Sequence, residues 1–229
     1  MRFVWWPGPV SYADGHAAQQ RLVDARLRDD APDTVLLLEH ADTITVGRAR
    51  GAAANVLDAG GIPVVAVERG GDTTWHGPGQ LVAYPIVRLT RPDLHAHLHA
   101  LEDAVIAALG GQGLAAGRDP RNTGVWIAGR KVCSVGIACR RWVTWHGLAL
   151  NVDPDLARFA RIRPCGFEPD VMTRVADHLA PCPPVSAWVQ PVADALADAF
   201  GRPRAAIEPW TEPWTEAAAP AEPHDDGQR

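Results

Sequence analysis

The chain has 229 residues, of which 47% are apolar and 21% charged, with a net charge of −5. That length can bury a large core, and the acidic balance argues against a general nucleic-acid binder, which would carry a basic domain. Met1 to Pro7 lack the apolar segment of a signal peptide, and no apolar window is long enough to cross a membrane, so a cytoplasmic protein without a membrane partner is expected.

Along the chain, Ser11 is placed to cap a helix carrying Ala13, Ala17, Val23 and Leu27 on its apolar positions. Thr34 to Glu39 reads as a buried strand, continuous in apolar residues. Thr43 to Val46 and Ile62 to Val67 are further strands, followed by a long glycine-rich loop, Arg69 to Leu81, and a strand from Leu81 to Leu89. A helix with Leu94, Leu98, Leu101, Val105 and Leu109 stops at Gly110-Gly111. His95, His97 and His99 on it are two residues apart, a spacing that splays side chains around a helix and indicates a solvated face rather than a metal cluster.

Asn122 to Lys131 reads as a strand, a glycine turn and the start of a returning strand, which runs on to Ala138. Trp142 to Val152 is another strand, and a short helix with Leu156 and Phe159 follows. Ser186 opens a last helix with Trp188, Val192, Leu196 and Phe200. Hairpins alternating with helical crossovers predict one α/β domain with a mixed sheet. The domain is expected to cover residues 1–203, with a Pro/Ala/Glu-rich tail over 204–229 that is disordered after about residue 216.

The loop from Arg69 to Leu81 holds Gly70, Gly71, Gly77 and Gly79 between two strands, so its main chain can approach a bound molecule closely. Arg69, Asp72, Thr73, Thr74, His76 and Gln80 place hydrogen-bonding groups on it. The bland alternative is an ordinary hairpin connection, although such loops are normally about two to five residues. Cys133, Cys139, Cys165 and Cys182 form no CxxC pair and no zinc-ligand spacing, so they read as reduced thiols. Cys165 stands out among them. It lies between Pro164 and Gly166, near Arg161 and Arg163, whose charge favours the thiolate. A nucleophilic cysteine needs a proton acceptor, for which Lys131, His76 and His146 are candidates; the alternative is a structural core thiol.

Several motifs occur in order: Leu37-Leu38-Glu39-His40, Val46-Gly47-Arg48, Arg69-Gly70-Gly71, and His76-Gly77-Pro78-Gly79-Gln80. They continue with Gly124-Val125-Trp126, Lys131, His146-Gly147-Leu148-Ala149-Leu150-Asn151-Val152 and Pro164-Cys165-Gly166. In this series the sequence resembles the octanoyl-[acyl carrier protein]:protein octanoyltransferases of lipoic acid assembly, over roughly Tyr12 to Val175. The resemblance implies a fold like the catalytic domain of biotin and lipoate protein ligases, a mixed sheet flanked by helices. It implies that Cys165 carries the acyl group as a thioester and that Lys131 tunes it, the two titrating as a coupled pair. Substrate-lining residues would be Arg69, Gly70, Gly71, Asp72, Thr73, Thr74, Trp75 and His76, together with Ser134, Val135, Gly136, Gly147, Leu148 and Ala149.

No cofactor or metal is implied. The donor would be octanoyl-acyl carrier protein and the acceptors lipoyl domains of 2-oxoacid dehydrogenases and the glycine cleavage H protein, served by a monomer. The chain departs from the family pattern at Trp75, where Tyr is usual, at Cys133 and Ser134, and at Met172-Thr173-Arg174. Backbone N–H groups of Gly136, Gly147 or Gly166 are candidates to hold an oxyanion. Between Arg130 and Cys165, seven basic residues are opposed only by Asp153 and Asp155, which predicts a basic rim for acidic partners. Rival readings are an ATP-dependent ligase of the same fold, a non-catalytic acyl-carrier-binding module and a metal-binding protein.

Overall fold

A computed structural model describes residues 1–211, the side chain of Cys165 excepted. Its backbone is an eight-stranded mixed sheet with helices on both faces, joined to a smaller three-stranded sheet. The predicted mixed α/β architecture is therefore present, and the strands at its centre are those with the clearest sequence signals. β2 (Thr34–His40) lies between β1 (Arg2–Val10) and β6 (Gln80–Ile86). Val35 and Leu37 pack on one face with α2 (Leu94–Gly110) and α3 (Val185–Ala199), while Leu36 and Leu38 pack on the other with α1 (Tyr12–Leu27). Burial on both faces is why this strand reads as an unbroken apolar run.

Next to β6 come β10 (Val143–Asn151), β9 (Arg130–Arg140), β8 (Asn122–Ile127) and β7 (Gly117–Asp119), all antiparallel. β1 is a strand that no sequence signal announced, because Pro7, Gly8 and Pro9 interrupt it. The register shifts between Trp6 and Pro9 accommodate them, as irregularities in a ladder commonly do for proline. Beyond residue 203 the sheet continues: β11 (Ile207–Pro209) pairs parallel with β1, and Trp210 stacks on Trp6 at 5.0 Å. Part of the stretch read as a tail is thus built into the sheet edge; the segment after 211, including the disordered reading beyond 216, lies outside the described residues.

Two helix faces differ from expectation. α1 buries Tyr12, Gly15, Ala18, Gln19, Leu22 and Val23, whereas Ala13 is exposed and Ala17 and Leu27 are only partly covered. Half of that buried face is polar or small because it meets polar partners: the Gln19 side-chain oxygen accepts from the His146 amide at 2.8 Å. On α2, His97 is buried rather than solvated and stacks on Phe200 at 5.4 Å. Burial pushes its pKa down to about 4, so it stays neutral as an aromatic core residue.

The small sheet has the order β4 (Val64–Ala66), β3 (Thr43–Val46), β5 (Thr73–His76). The sequence reading made Arg69 to Leu81 one loop, but its middle is β5, antiparallel to β3. Its alternating, β-branched Thr73-Thr74 pair supports a strand once a partner edge is available.

Candidate active site

One cavity of about 380 Å³ lies over β9 and β10 and under the segment from Arg69 to Thr74. Of the sequence-predicted substrate residues, Arg69, Gly70, Gly71, Asp72, Thr73, Thr74, His76, Ser134, Val135, Gly136, Gly147, Leu148 and Ala149 line it together with Lys131. Trp75 does not. It is buried below the small sheet, edge-on to Phe159 at 5.3 Å, and its indole N–H donates to Asp42 at 3.0 Å. Tyr12, Tyr84, Asn122, Thr123, Leu98 and Ile137 line the cavity without having been singled out. They come from five separate elements or turns, so no local motif groups them.

The roof is held by its own side chains. Arg69 donates to the carbonyls of Asp72 at 2.7 Å and Thr45 at 3.1 Å and to the Thr45 hydroxyl at 2.8 Å. Its guanidinium therefore braces the glycine-rich segment. The Asp72 carboxylate accepts from the Thr73 amide at 2.6 Å and from the Asn55 side chain at 2.7 Å. The Asn55 carbonyl in turn accepts from the Arg163 amide at 2.8 Å. One residue thus joins the roof to the turn Pro164–Gly166 that carries Cys165. Among the proposed oxyanion donors, the Gly166 amide already donates to the Arg163 carbonyl at 3.1 Å and is engaged within that turn.

Lys131 is only 3% exposed, and its ammonium donates to the Asn122 side-chain oxygen at 2.5 Å. Its stem runs past Gly124, where a Cβ would sit 2.5 Å from the lysine Cε and 2.4 Å from the Cys133 carbonyl. Gly124 also has φ +136, so the Gly-Val-Trp motif is the space the lysine needs. Gly147 has a similar role, since a Cβ there would lie 2.3 Å from the Ala83 carbonyl of β6. The other described thiols are poor nucleophiles: burial raises the pKa of Cys139 and Cys182 and pushes fully buried Cys133 up to about 12.

At the other end, His40, His76, Tyr84 and Tyr12 form a buried polar cluster. His40 Nδ1 donates to the Val10 carbonyl at 3.0 Å, so its Nε2 accepts from the Tyr84 hydroxyl at 2.7 Å. Burial drives the His40 pKa down to about 4 and that of His76 to about 3, the latter helped by the charges of His40 and Arg69. A relay fixes the His76 tautomer. The Thr173 carbonyl accepts from Asn151, whose side-chain oxygen accepts from Gln80 at 2.9 Å, leaving the Gln80 oxygen to accept from His76 Nδ1 at 2.7 Å. His76 Nε2 is left as an acceptor. The Thr173 amide donates to the Lys131 carbonyl at 2.9 Å, so the same relay ties the segment after Cys165 to β9.

The cationic run between Arg130 and Cys165 is offset in three dimensions. Arg140 pairs with Asp24, Arg158 with Asp42 and Asp155, Arg161 with Asp58 and Arg163 with Glu168. Four of the seven cations of the predicted basic rim are thus paired, by Asp24, Asp42 and Asp58 from distant parts of the chain and by nearby Asp155 and Glu168.

Residues 11–201 match the family of lipoyl protein ligase A/B catalytic domains. The chain belongs to this family. Among its curated relatives, a protein named octanoyltransferase from Rubrobacter xylanophilus is 43% identical over 86% of this chain and 92% of its own length. One of the same name from Gloeobacter violaceus is 46% identical over 85% and 88%. The backbone also resembles a lipoate-protein ligase A bound with ATP, with a TM-score of 0.73 at 14% identity over 93% and 90% of the two chains. A biotin protein ligase from Aquifex aeolicus gives 0.54 at 13% identity over 88% and 69%. At such identities these two speak to fold alone, and they bear out the expected ligase-like catalytic domain.

Proposed function

We propose that this protein is an octanoyltransferase that takes the octanoyl group from acyl carrier protein and gives it to a lysine amine of lipoate-dependent proteins. The observation that carries this reading is a buried lysine that lines a cleft-like cavity under the glycine-rich segment, in a chain 43% to 46% identical to relatives of that name. Apolar Leu98, Val135, Ile137, Leu148 and Ala149 offer a surface for an alkyl chain. Burying about six methylenes contributes roughly 5 kcal/mol.

In the first half-reaction the Cys165 thiolate attacks the thioester carbonyl, the carbon–sulfur bond to the carrier breaks, and the carrier thiol leaves with a proton supplied by Lys131. In the second, the acceptor amine attacks the acyl-enzyme, its proton passes to Lys131, and the Cys165 sulfur departs as an amide forms. The donor is already activated, so the cycle consumes no ATP. Lipoyl domains and the glycine cleavage H protein are the acceptors, and the enzyme works as a cytoplasmic monomer. Among the described residues no helix is long and apolar enough to cross a membrane.

Intact mass after mixing with octanoyl-acyl carrier protein tests the mechanism. An octanoyl adduct is expected on the wild type, with no labile thioester in Cys165→Ser. Absence of any adduct on the wild type with an active donor would overturn the reading. Turnover of free octanoate that depends on ATP would assign the chain to the ligases instead.

A further inference from the structure

Beside the acyl cavity, three side chains that the transfer reaction does not use converge from a helix, a strand and the loop before Arg69. His16 on α1 and His146 on β10 both direct Nε2 at one oxygen of Glu68, at 3.0 and 3.4 Å. The three ligand-type atoms all lie within 4.8 Å of one another, and the two imidazoles face each other at 5.9 Å. Ligands of one tetrahedral zinc, each about 2.0–2.2 Å from the metal, stand about 3.3 Å apart, so the spacing needs only small rotamer shifts to close on an ion.

We propose that His16, Glu68 and His146 form a binding site for a divalent transition metal of the zinc type. Two imidazoles and one carboxylate are a ligand set of borderline softness suited to such ions, and with three protein ligands a fourth position stays open. The backbone supplies an independent sign. His146 sits at φ +56 within a strand, a conformation that a non-glycine residue holds at a cost of about 1–3 kcal/mol and that marks functional positions. Its ladder with β9 runs on across this residue, and its amide is taken by Gln19, so the strain is maintained by the surroundings and aims the ring at Glu68. Gln20, 3.4 Å from His16 Nε2, competes with Glu68 for that nitrogen in the metal-free arrangement.

The site is reachable yet anchored: the His146 side chain is 2% exposed, His16 28% and Glu68 37%. Since His146 lines the cavity and Glu68 precedes Arg69, an ion here joins α1, the roof segment and the floor strand. It would rigidify the walls of the acyl pocket without touching Lys131, which stands at the far end of β9.

The test is titration of the untagged, full-length protein with Co²⁺ as a spectroscopic probe, followed by competition with Zn²⁺. One equivalent of Co²⁺ giving visible ligand-field bands is expected, with the bands retained in Cys165→Ser. His16→Ala, at a partly exposed helix position, should weaken binding by more than about 100-fold, since loss of even an outer partner of a ligand costs about 10–100-fold. Glu68→Gln should act likewise, and Zn²⁺ should raise the melting temperature of the wild type but not of either variant. No stoichiometric binding by the wild type, bands indifferent to His16→Ala, or bands lost in Cys165→Ser would each overturn the proposal.

Discussion

The two ends of the cavity are built on opposite principles. At the Lys131 end one ionisable side chain is threaded through a gap left by Gly124 and held by Asn122. At the other end His40, His76 and Tyr84 are packed together, with the tautomer of each histidine fixed by its neighbours. From Lys131 to Ile137, the partner of His146, β9 runs six residues, or about 20 Å, longer than an extended eight-carbon chain. Chemistry placed at one end therefore leaves the other free to act as a neutral, shaped wall. Burial serves different purposes in the two places: it isolates a single lysine amine, the proposed proton carrier, at the first and suppresses charge at the second.

If that division holds, removing the lysine should cost far more activity than anything done to the far wall. Lys131→Met is expected to lower octanoyl transfer by about 10²–10⁴ while leaving a cooperative melt, checked by single-turnover acylation and calorimetry. A loss of only a few fold would move the proton carrier elsewhere.

The far end, and with it the core histidine of α2, should reveal itself in acid. His40, His76 and His97 are held neutral, with pKa values lowered from 6.5 to about 4, 3 and 4. As pH falls below 6.5 the unfolded chain takes up protons that the folded protein refuses, so stability declines from pH 6.5 towards pH 4. Denaturant titrations should show a decline on the order of a few kcal/mol. His97→Leu should flatten part of it, because His97 Nε2 has no hydrogen-bond partner among the described residues. A pH-independent midpoint across that range would show that the histidines are not held as the packing requires.

Trp75 separates wall from scaffold. Trp75→Phe is expected to cost about 1–2 kcal/mol of stability, through the lost contact with Asp42, and to leave the KM for the acyl donor unchanged. A raised KM with unaltered stability would return the indole to the pocket. The smallest effect concerns the surface. Because Arg140 already pairs with Asp24, Arg140→Glu should change the low-salt KM for acyl carrier protein by no more than about twofold; a tenfold rise would restore the basic rim.

What the sequence alone determined is considerable. Within the runs read as strands, Thr34 to Leu38 and Val143 to Val152 are buried on both faces, and that leaves an apolar signature no partner is needed to read. The glycine-rich roof was legible because close backbone approach restricts residue type locally, whereas Lys131 was one of three candidate proton acceptors, and the floor residues Ser134 to Gly136 and Gly147 to Ala149 were implied only by the family resemblance. Only the tertiary structure decided the rest. Trp75 and Thr74 are neighbours in one strand, yet alternation sends the indole to the core and the threonine to the cavity. Likewise Asn55, Asn122 and Gln19 are ordinary polar residues until a distant partner (Asp72, Lys131 and the His146 amide) gives each its role. Hydrogen bonds and ion pairs between residues far apart in the chain impose no periodicity on it, so the apolar frame is readable in one dimension and the polar site only in three.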